Sequence, residues 1–321
     1  MNPVHDVIVI TSCTNRKRKA GAVLQLESAH ATDSLSKLAH HWKRQVQTVH
    51  ESDLLAARDL YAGRSISEAK QTADELSSPL FIVSAGHGVL RADELVPAYD
   101  VTVSPAPDNK LHRCLLRLGR SPADWWQALI EAFGPQRSLA ELITRSTHAI
   151  VLLAVPSVYL RLLEPDLVCL SDTDIQRLRV LTSCHGATRL APRLQHLVMP
   201  YDERLEGLPT YAGTRSDFPQ RALRHFTTVL RGHELPLESA HEQVLQAMAA
   251  LRKPVLPERQ RKTDDDIVLL LRQNWERLQG SSTALLRYLR DDALVSCEQS
   301  RFRTLHRRAL SELNKDLDHH G

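Results

Sequence analysis

The sequence predicts an α/β protein in which a mainly parallel sheet is flanked by helices, followed by a C-terminal helical module. Two observations lead to this prediction. As far as Leu230, short runs of apolar and β-branched residues alternate with segments of helical periodicity, which is typical of parallel strands joined by helices. Beyond a charged segment that contains Pro254 and Pro257, the pattern becomes wholly helical.

The composition places the chain among globular proteins. It has 321 residues, of which 42% are hydrophobic and 25% charged, enough for one large domain or two ordinary ones. The five cysteines are scattered without disulfide or zinc spacing, and no long apolar run or signal peptide is present, so a cytoplasmic location without membrane or metal is expected. A net charge of +3 permits nucleic-acid binding without indicating it.

The elements follow one another in strand–helix alternation. The strands are predicted at Asp6–Ile10, Leu80–Ser84, Ala149–Ala154, Leu178–Leu181 and His196–Met199. The helices are predicted at Thr32–Val46, Ser65–Leu76, Asn109–Leu118, Pro122–Phe133 and Pro219–Leu230. Together they predict a catalytic domain over residues 1–252, a linker over 253–263 and a helical module over 264–321.

Three helices are expected in the C-terminal module. Asp264, Asp265 and Asp266 open the first, where carboxylates favour the positive end of the helix dipole, and Gly280 is expected to end it. The third helix carries outward basic residues that are candidates for DNA contacts, namely Arg301, Arg303 and Arg307. The pattern fits a helix-turn-helix-like DNA-binding module, and it fits equally a three-helix bundle whose arginines are merely solvated.

The first strand leads directly into reactive side chains. Ser12 and Cys13 follow its β-branched run, and Lys17 comes four residues after the cysteine. Ligands of α/β folds bind at the carboxyl ends of strands, so a nucleophile and a cation arrive together at an expected ligand site. The basic residues around Lys17 are candidates for holding phosphates: Arg16, Arg18 and Lys19. The alternatives are a buried cysteine that only fills space and a solvated basic turn.

Further polar and aromatic residues follow the other strands. Ser84 ends the second strand and leads into a loop in which Gly86 and Gly88 flank His87; this loop is neither a dinucleotide fingerprint nor a P-loop. The strand that ends at Ala154 leads into Ser157, expected to cap a helix, and Tyr159, expected to face the site. Other candidates lie in the segments Asp59–Ser65 and Asp93–Asp100.

Four motifs, taken in order, resemble the YaaA-like superfamily. They are C-x3-K from Cys13, D-L-Y-x-G from Asp59, S-A-x-x-G-x-L from Ser84 and E-L-x-P-x-Y-D from Glu94. The superfamily includes the archaeosine synthase core and the DpdC-type proteins of 7-deazaguanine DNA modification, which the chain resembles most. It departs from the archaeosine synthase pattern P-C-x3-K-P-Y, because Ser12 precedes the cysteine and Arg18 and Lys19 follow the lysine.

The resemblance implies an enzyme that hydrates the nitrile of 7-cyano-7-deazaguanine (preQ0) in DNA to 7-amido-7-deazaguanine, within a phage-defence restriction-modification system. Cys13, beside Lys17, would be the nucleophile, and Glu94 or Asp100 would carry protons; direct hydration, with Cys13 only lining the pocket, is the alternative. Residues expected to bind the base are Ser12, Tyr61, Ser84, Gly86, His87 and Tyr99, His87 being a second candidate acid or base. No cofactor is implied.

Double-stranded DNA with the modified base is the expected partner, and a DNA transglycosylase that inserts preQ0 would act before this protein. The base must leave the duplex to reach a pocket. Two other functions fit the sequence. One is a non-catalytic DNA-binding protein of stress or damage response, and the other is a transferase or lyase acting on a 7-deazaguanine in tRNA.

Overall fold

A computed structural model describes residues 6–18, 21–27, 32–106, 108–183, 186–253 and 258–318. The chain divides into two compact units, residues 1–254 and residues 255–321. Within the described residues, no helix is both long and apolar enough to cross a membrane.

The larger unit is built on a five-stranded sheet with the order β4-β3-β1-β6-β7 and on a two-stranded sheet of β2 and β5. The strands are β1 Val7–Ser12, β2 Leu54–Ala56, β3 Leu80–Ser84, β4 Gly88–Arg91, β5 Leu95–Pro97, β6 Ile150–Ala154 and β7 Leu178–Leu181. Strands β3, β1, β6 and β7 run parallel, and β4 is antiparallel to β3. A mixed α/β fold with a mainly parallel sheet is thereby confirmed.

The central strand β1 lies between β3 and β6 and is almost wholly buried. Val9 pairs with Leu80 on one side and with Leu152 on the other. Its near-continuous apolar sequence follows from this position, because both faces of the strand are covered and none of its side chains points into solvent.

Helices flank the sheet. Those of the larger unit are α1 Leu35–Gln47, α2 Ala57–Leu60, α3 Arg64–Glu75, α4 Lys110–Leu118, α5 Pro122–Phe133, α6 Leu139–Arg145, α7 Ser157–Leu162, α8 Glu164–Val168, α9 Asp172–Gln176, α10 Phe218–Thr228 and α11 Leu237–Ala249. Helix α1 packs on α5, and α3 packs on α10. Ser121 begins α5 with a capping box that Asp124 completes.

Two sequence predictions in this unit are wrong. His196–Met199 is not a strand, because Pro192 starts a 3-10 helix over Pro192–Leu197, and Val198 makes only an isolated bridge to Val180. Ser157 does not cap its helix: Pro156 occupies the N-cap position, and Ser157 is the first helical residue.

The described residues of the smaller unit form three α-helices, α12 Asp264–Gln273, α13 Ser282–Arg287 and α14 Gln299–Asp318, and a short π-helix over Tyr288–Asp292. Thr263 and Asp266 form a capping box at the start of α12, as the acidic run predicts. The helix ends earlier than the expected Gly280, because Asn274 leaves the helical conformation and its side-chain amide bonds to the carbonyl of Leu270. The core is formed by apolar residues of the three α-helices and the π-helix, among them Ile267, Leu271, Leu285, Leu289, Phe302 and Leu305.

Candidate functional site

The candidate site lies at the carboxyl ends of β1 and β6. These neighbouring parallel strands send the chain to opposite sides of the sheet, β1 towards β3 and β6 towards β7. Such a switch in direction opens a crevice between two strand ends, where α/β folds bind their ligands. Cys13 directly follows β1, and Tyr159 lies on α7, which follows β6.

Cys13 and Tyr159 meet across this crevice. The Cys13 thiol and the Tyr159 hydroxyl oxygen are 2.9 Å apart, and the same hydroxyl lies 3.3 Å from the Cys13 carbonyl. The Cys13 amide donates to the carbonyl of Val83 at 2.8 Å, which continues the β1–β3 pairing and fixes the cysteine. Burial raises the pKa of Tyr159, and the negative charge of a Cys13 thiolate raises it further, so the phenol keeps its proton at neutral pH. It can therefore donate to the sulfur.

Lys17 returns to the site because the chain after β1 folds back on the segment after α2. An antiparallel bridge joins Lys17 to Tyr61, and the amide of Arg18 donates to the carbonyl of Leu60 at 2.8 Å. The ammonium nitrogen lies 4.3 Å from the centre of the Tyr99 ring, a cation–π distance. Burial lowers the pKa of Lys17, while the charges of Cys13 and Asp100 oppose that shift.

The small sheet brings together two tyrosines that are far apart in sequence. Strand β2 leads through α2 to Tyr61, and its partner β5 is followed closely by Tyr99. The two hydroxyl oxygens are 2.8 Å apart, and the Tyr99 oxygen lies 2.6 Å from the hydroxyl of Ser84 at the end of β3. Tyr61, Ser84 and Tyr99 are all buried, so these three predicted residues form one internal network.

The glycine-rich loop supports the Tyr99 ring. A Cβ on Gly86 would lie 2.9 Å from Cε2 of Tyr99, which explains the glycine. The indole of Trp42 on α1 donates to the Gly86 carbonyl at 2.6 Å. His87 meets the Tyr99 ring edge-to-face with 4.8 Å between the ring centres. Burial, and then the charges of Arg137 and Lys17, lower the pKa of His87 to about 3, so a role as a general acid near neutral pH is disfavoured.

The two predicted proton carriers are engaged elsewhere. Arg137 forms a two-pronged ion pair with Glu94, with 2.8 Å between Nη1 and Oε2. One carboxylate oxygen of Asp100 accepts from the Leu26 amide at 3.1 Å, and the other lies 3.8 Å from the ammonium of Lys110. Asp100 acts on Lys17 through its charge. Tyr159, rather than either carboxylate, is in hydrogen-bond contact with the Cys13 sulfur.

Ser12 and the basic residues lie around this core. Ser12 is the buried last residue of β1, and the side chains of Arg16 and Arg18 are exposed on either side of Lys17. Lys19 lies outside the described residues. The basic pair thus lies in the loop that carries Lys17 to the site, where it is available to phosphates.

Helix α10 contributes a polar group that the sequence pattern does not reveal. The amide nitrogen of Gln220 donates to the Thr11 hydroxyl and to the carbonyl of Ala154, both at 3.0 Å. It therefore bridges β1 and β6 at the crevice. The sequence does contain one indication of this role, since Gln220 is a polar residue among the buried positions of a predicted helix.

In the smaller unit, the three arginines predicted to bind DNA are in different environments. Arg301 is half-buried and bonds to Asp264 and to the carbonyl of Lys262. Arg303 and Arg307 are exposed. The neighbouring Arg308 pairs with Asp265 and Glu312. Acidic side chains of the unit thus neutralise part of its basic surface.

Part of the chain matches a known protein family. Residues 47–152 match the model of a family of unknown function, DUF6884. This segment begins at the last residue of α1 and ends in β6, so it contains Tyr61, Ser84 and Tyr99 but neither Cys13 nor Tyr159. No curated protein and no solved structure matches the chain.

Proposed function

We propose that this protein hydrates the nitrile of 7-cyano-7-deazaguanine in double-stranded DNA, giving 7-amido-7-deazaguanine, as part of a phage-defence restriction-modification system. The observation that carries the proposal is the Cys13 thiol at a topological switch point, 2.9 Å from a protonated phenol. A partly buried lysine lies close enough for its charge to act on that thiol. A nitrile carbon is an electrophile that suits such a nucleophile.

In the first step, the Cys13 thiolate attacks the nitrile carbon. The carbon–sulfur bond forms as one π bond of the nitrile breaks, and its electron pair takes a proton on nitrogen, which gives a thioimidate. The ammonium of Lys17 and the hydroxyl of Tyr159 stabilise the thiolate before attack.

In the second step, water adds to the thioimidate carbon. The resulting tetrahedral species expels the Cys13 thiolate, and the carbon–oxygen bond becomes the carbonyl of the amide. The sum of the two steps is nitrile plus water giving amide, without oxidation, reduction or a cofactor. Direct attack of water on the nitrile would need the same surroundings but would leave Cys13 unmodified.

Recognition of the base is assigned to Tyr61 and Tyr99, whose rings lie beside the Lys17 ammonium and would have to move apart to admit the base, since both are buried. Flat aromatic side chains suit a flat heterocycle, and the base has to be turned out of the duplex to reach them. Arg16 and Arg18 are exposed beside the site and would hold the phosphates on either side. A transglycosylase that inserts preQ0 into DNA would supply the substrate.

The test is nucleoside mass analysis. Purified protein is incubated with duplex DNA that contains 7-cyano-7-deazaguanine, the DNA is digested, and the modified nucleoside is expected to gain the mass of one water. Cys13→Ala should abolish this gain. Cys114→Ala, which changes a buried cysteine of α4, should leave it intact.

Three outcomes would contradict the proposal in different ways. Unchanged DNA that stays bound to the protein would favour a binding or sensing role. Turnover of preQ0 in tRNA, but not in DNA, would favour an RNA-modifying enzyme. Full turnover by Cys13→Ala would exclude covalent catalysis while keeping the hydration.

A further inference from the structure

The hydroxyl of Ser84 has a defined direction of hydrogen bonding. Its oxygen accepts from the backbone amides of Gly86 and His87, both at 3.1 Å. A hydroxyl oxygen has two lone pairs and one proton, so both acceptor positions are used. At 2.6 Å from Tyr99, the Ser84 proton must therefore point to the Tyr99 oxygen.

The direction continues to Tyr61. Ser84, Tyr99 and Tyr61 own three hydroxyl protons, and the two short hydrogen bonds found in the described part of the chain join Tyr99 to Ser84 and Tyr99 to Tyr61. Burial is the main cause that raises the pKa of Tyr99; of its hydrogen bonds, the one with Ser84 lowers that pKa and the one with Tyr61 raises it. The Tyr99 hydroxyl is buried and accepts from Ser84, and a buried hydroxyl needs an acceptor for its own proton. The Tyr61 oxygen at 2.8 Å supplies that acceptor, so Tyr99 donates to Tyr61. The proton left over belongs to Tyr61.

The surroundings of Tyr61 indicate where this proton is available. Tyr61 pairs through its backbone with Lys17, whose ammonium lies 6.0 Å from the Tyr61 ring centre. The negative charge of Cys13 acts on the phenol, after burial the strongest influence that raises its pKa. The Tyr61 proton is thus held at neutral pH, beside the Lys17 segment that follows Cys13 and at the end of a directed chain of donors.

We propose that Tyr61 is a catalytic acid whose hydroxyl donates to the nitrile nitrogen as Cys13 attacks the carbon. The inference rests on the proposed function and names the proton donor that it requires. As the carbon–sulfur bond forms, the electron pair freed from the nitrile accepts the Tyr61 proton. The Tyr61 phenolate is stabilised by the hydroxyl of Tyr99 and the ammonium of Lys17, and it recovers a proton from the water that adds in the second step.

Two electrophiles separate this role from a merely structural one. An activated aryl nitrile, 2-cyanopyrimidine, adds to thiolates and needs a proton on its nitrogen. Iodoacetamide alkylates the same sulfur and releases iodide, and this reaction needs no proton donor. Both reactions are measured at Cys13 of the full chain by intact-protein and peptide mass spectrometry.

Tyr61→Phe is expected to slow formation of the nitrile adduct by about 100-fold, the lower end of general acid catalysis. Alkylation by iodoacetamide should stay within about twofold of wild type. Tyr99→Phe interrupts the hydrogen-bond chain but keeps the Tyr61 hydroxyl, so it should slow formation of the nitrile adduct less. Tyr201→Phe is the matched control, because it removes a buried hydroxyl that bonds to His225 at 2.8 Å and should change neither rate.

The inference is overturned if Tyr61→Phe slows both reactions equally, if it slows neither, or if wild-type Cys13 forms no nitrile adduct. Its failure is separable from that of the proposed function. Normal hydration of preQ0 in DNA by Tyr61→Phe would remove the inference and keep the function. If formation of the nitrile adduct depends on Tyr61 but the wild-type protein does not turn over the DNA, the inference is kept and the proposed function is removed.

Discussion

At the scale of single residues, the site depends on charges that act on one sulfur atom. Lys17 and the Cys13 thiolate are close enough for each to stabilise the charge of the other. Burial lowers the pKa of Lys17, and a negative charge on Cys13 opposes that shift. Tyr159 adds a neutral donor on the other side of the sulfur. The reactivity of Cys13 should therefore depend on Lys17 much more than on the exposed cations beside it.

Lys17→Met tests this dependence. Loss of the ammonium should slow alkylation of Cys13 by iodoacetamide at pH 7 by about tenfold, which corresponds to about 1.4 kcal/mol. The measurement is the second-order rate constant from pH 6 to 9. Arg18→Met, which removes an exposed neighbouring cation, is the control and should change the rate by less than about twofold. Equal effects of the two variants would mean that the reactivity of Cys13 depends on the total positive charge of the loop and not on Lys17 in particular.

At the scale of elements, helix α14 carries arginines of two kinds. Arg301 and Arg308 pair with carboxylates at the start of α12, so they connect two helices of their unit. Arg303 and Arg307 are exposed. If this unit binds DNA, the exposed pair has to make the phosphate contacts, because the other two are already neutralised.

The double change Arg303→Ala and Arg307→Ala should weaken binding to duplex DNA and reduce the slope of log affinity against log salt by about two. Arg301→Met should leave that slope nearly unchanged and should lower the free energy of unfolding by less than about 1 kcal/mol, since its ion pair is partly exposed. Fluorescence anisotropy over a salt series and urea unfolding measure the two effects. An unchanged slope in the double variant would favour the alternative of a bundle with solvated arginines.

At the scale of the whole molecule, buried histidines link stability to pH. Burial lowers the pKa of His225 to about 4, and burial with nearby positive charge lowers that of His87 to about 3. In the unfolded chain a histidine titrates near 6.5. Between these values the unfolded state binds more protons, so the free energy of unfolding decreases as the pH falls below about 6.5.

Each of the two histidines is expected to remove about 2 kcal/mol of stability between pH 7 and pH 5. Urea unfolding at both pH values measures the loss. His225→Phe should recover about half of the loss due to this pair, whereas His40→Phe, at an exposed position of α1, should recover none. An equal loss in wild type and His225→Phe would show that other groups cause the acid sensitivity.

Local patterns in the sequence were sufficient for the fold class. The mainly apolar runs at Leu80–Ser84 and Leu178–Leu181 predict those strands with their observed bounds, since a buried parallel strand is mostly apolar. The exception in the second run, Arg179, is buried and donates to the carbonyls of Gln176 and Leu235. Helix α5 is also predicted with its observed bounds, because Ser121 and Pro122 mark its start. Strands β2 and β5 have three residues each, too few for a periodic signal, and they form by pairing with each other across about 40 positions. Strand β4 begins within the loop of Gly86 and Gly88, whose glycines indicate a turn and not a strand.

The sequence by itself determined that Cys13 and Lys17 follow a buried strand and that aromatic and hydroxyl side chains follow others. It did so because strand ends and apolar periodicity are local properties. Only the tertiary structure decided which of these groups meet. The contact between Cys13 and Tyr159 spans 146 positions in sequence, and Glu94 is held by Arg137 through folding of separate elements. Such contacts follow from strand order and packing, which no local pattern encodes.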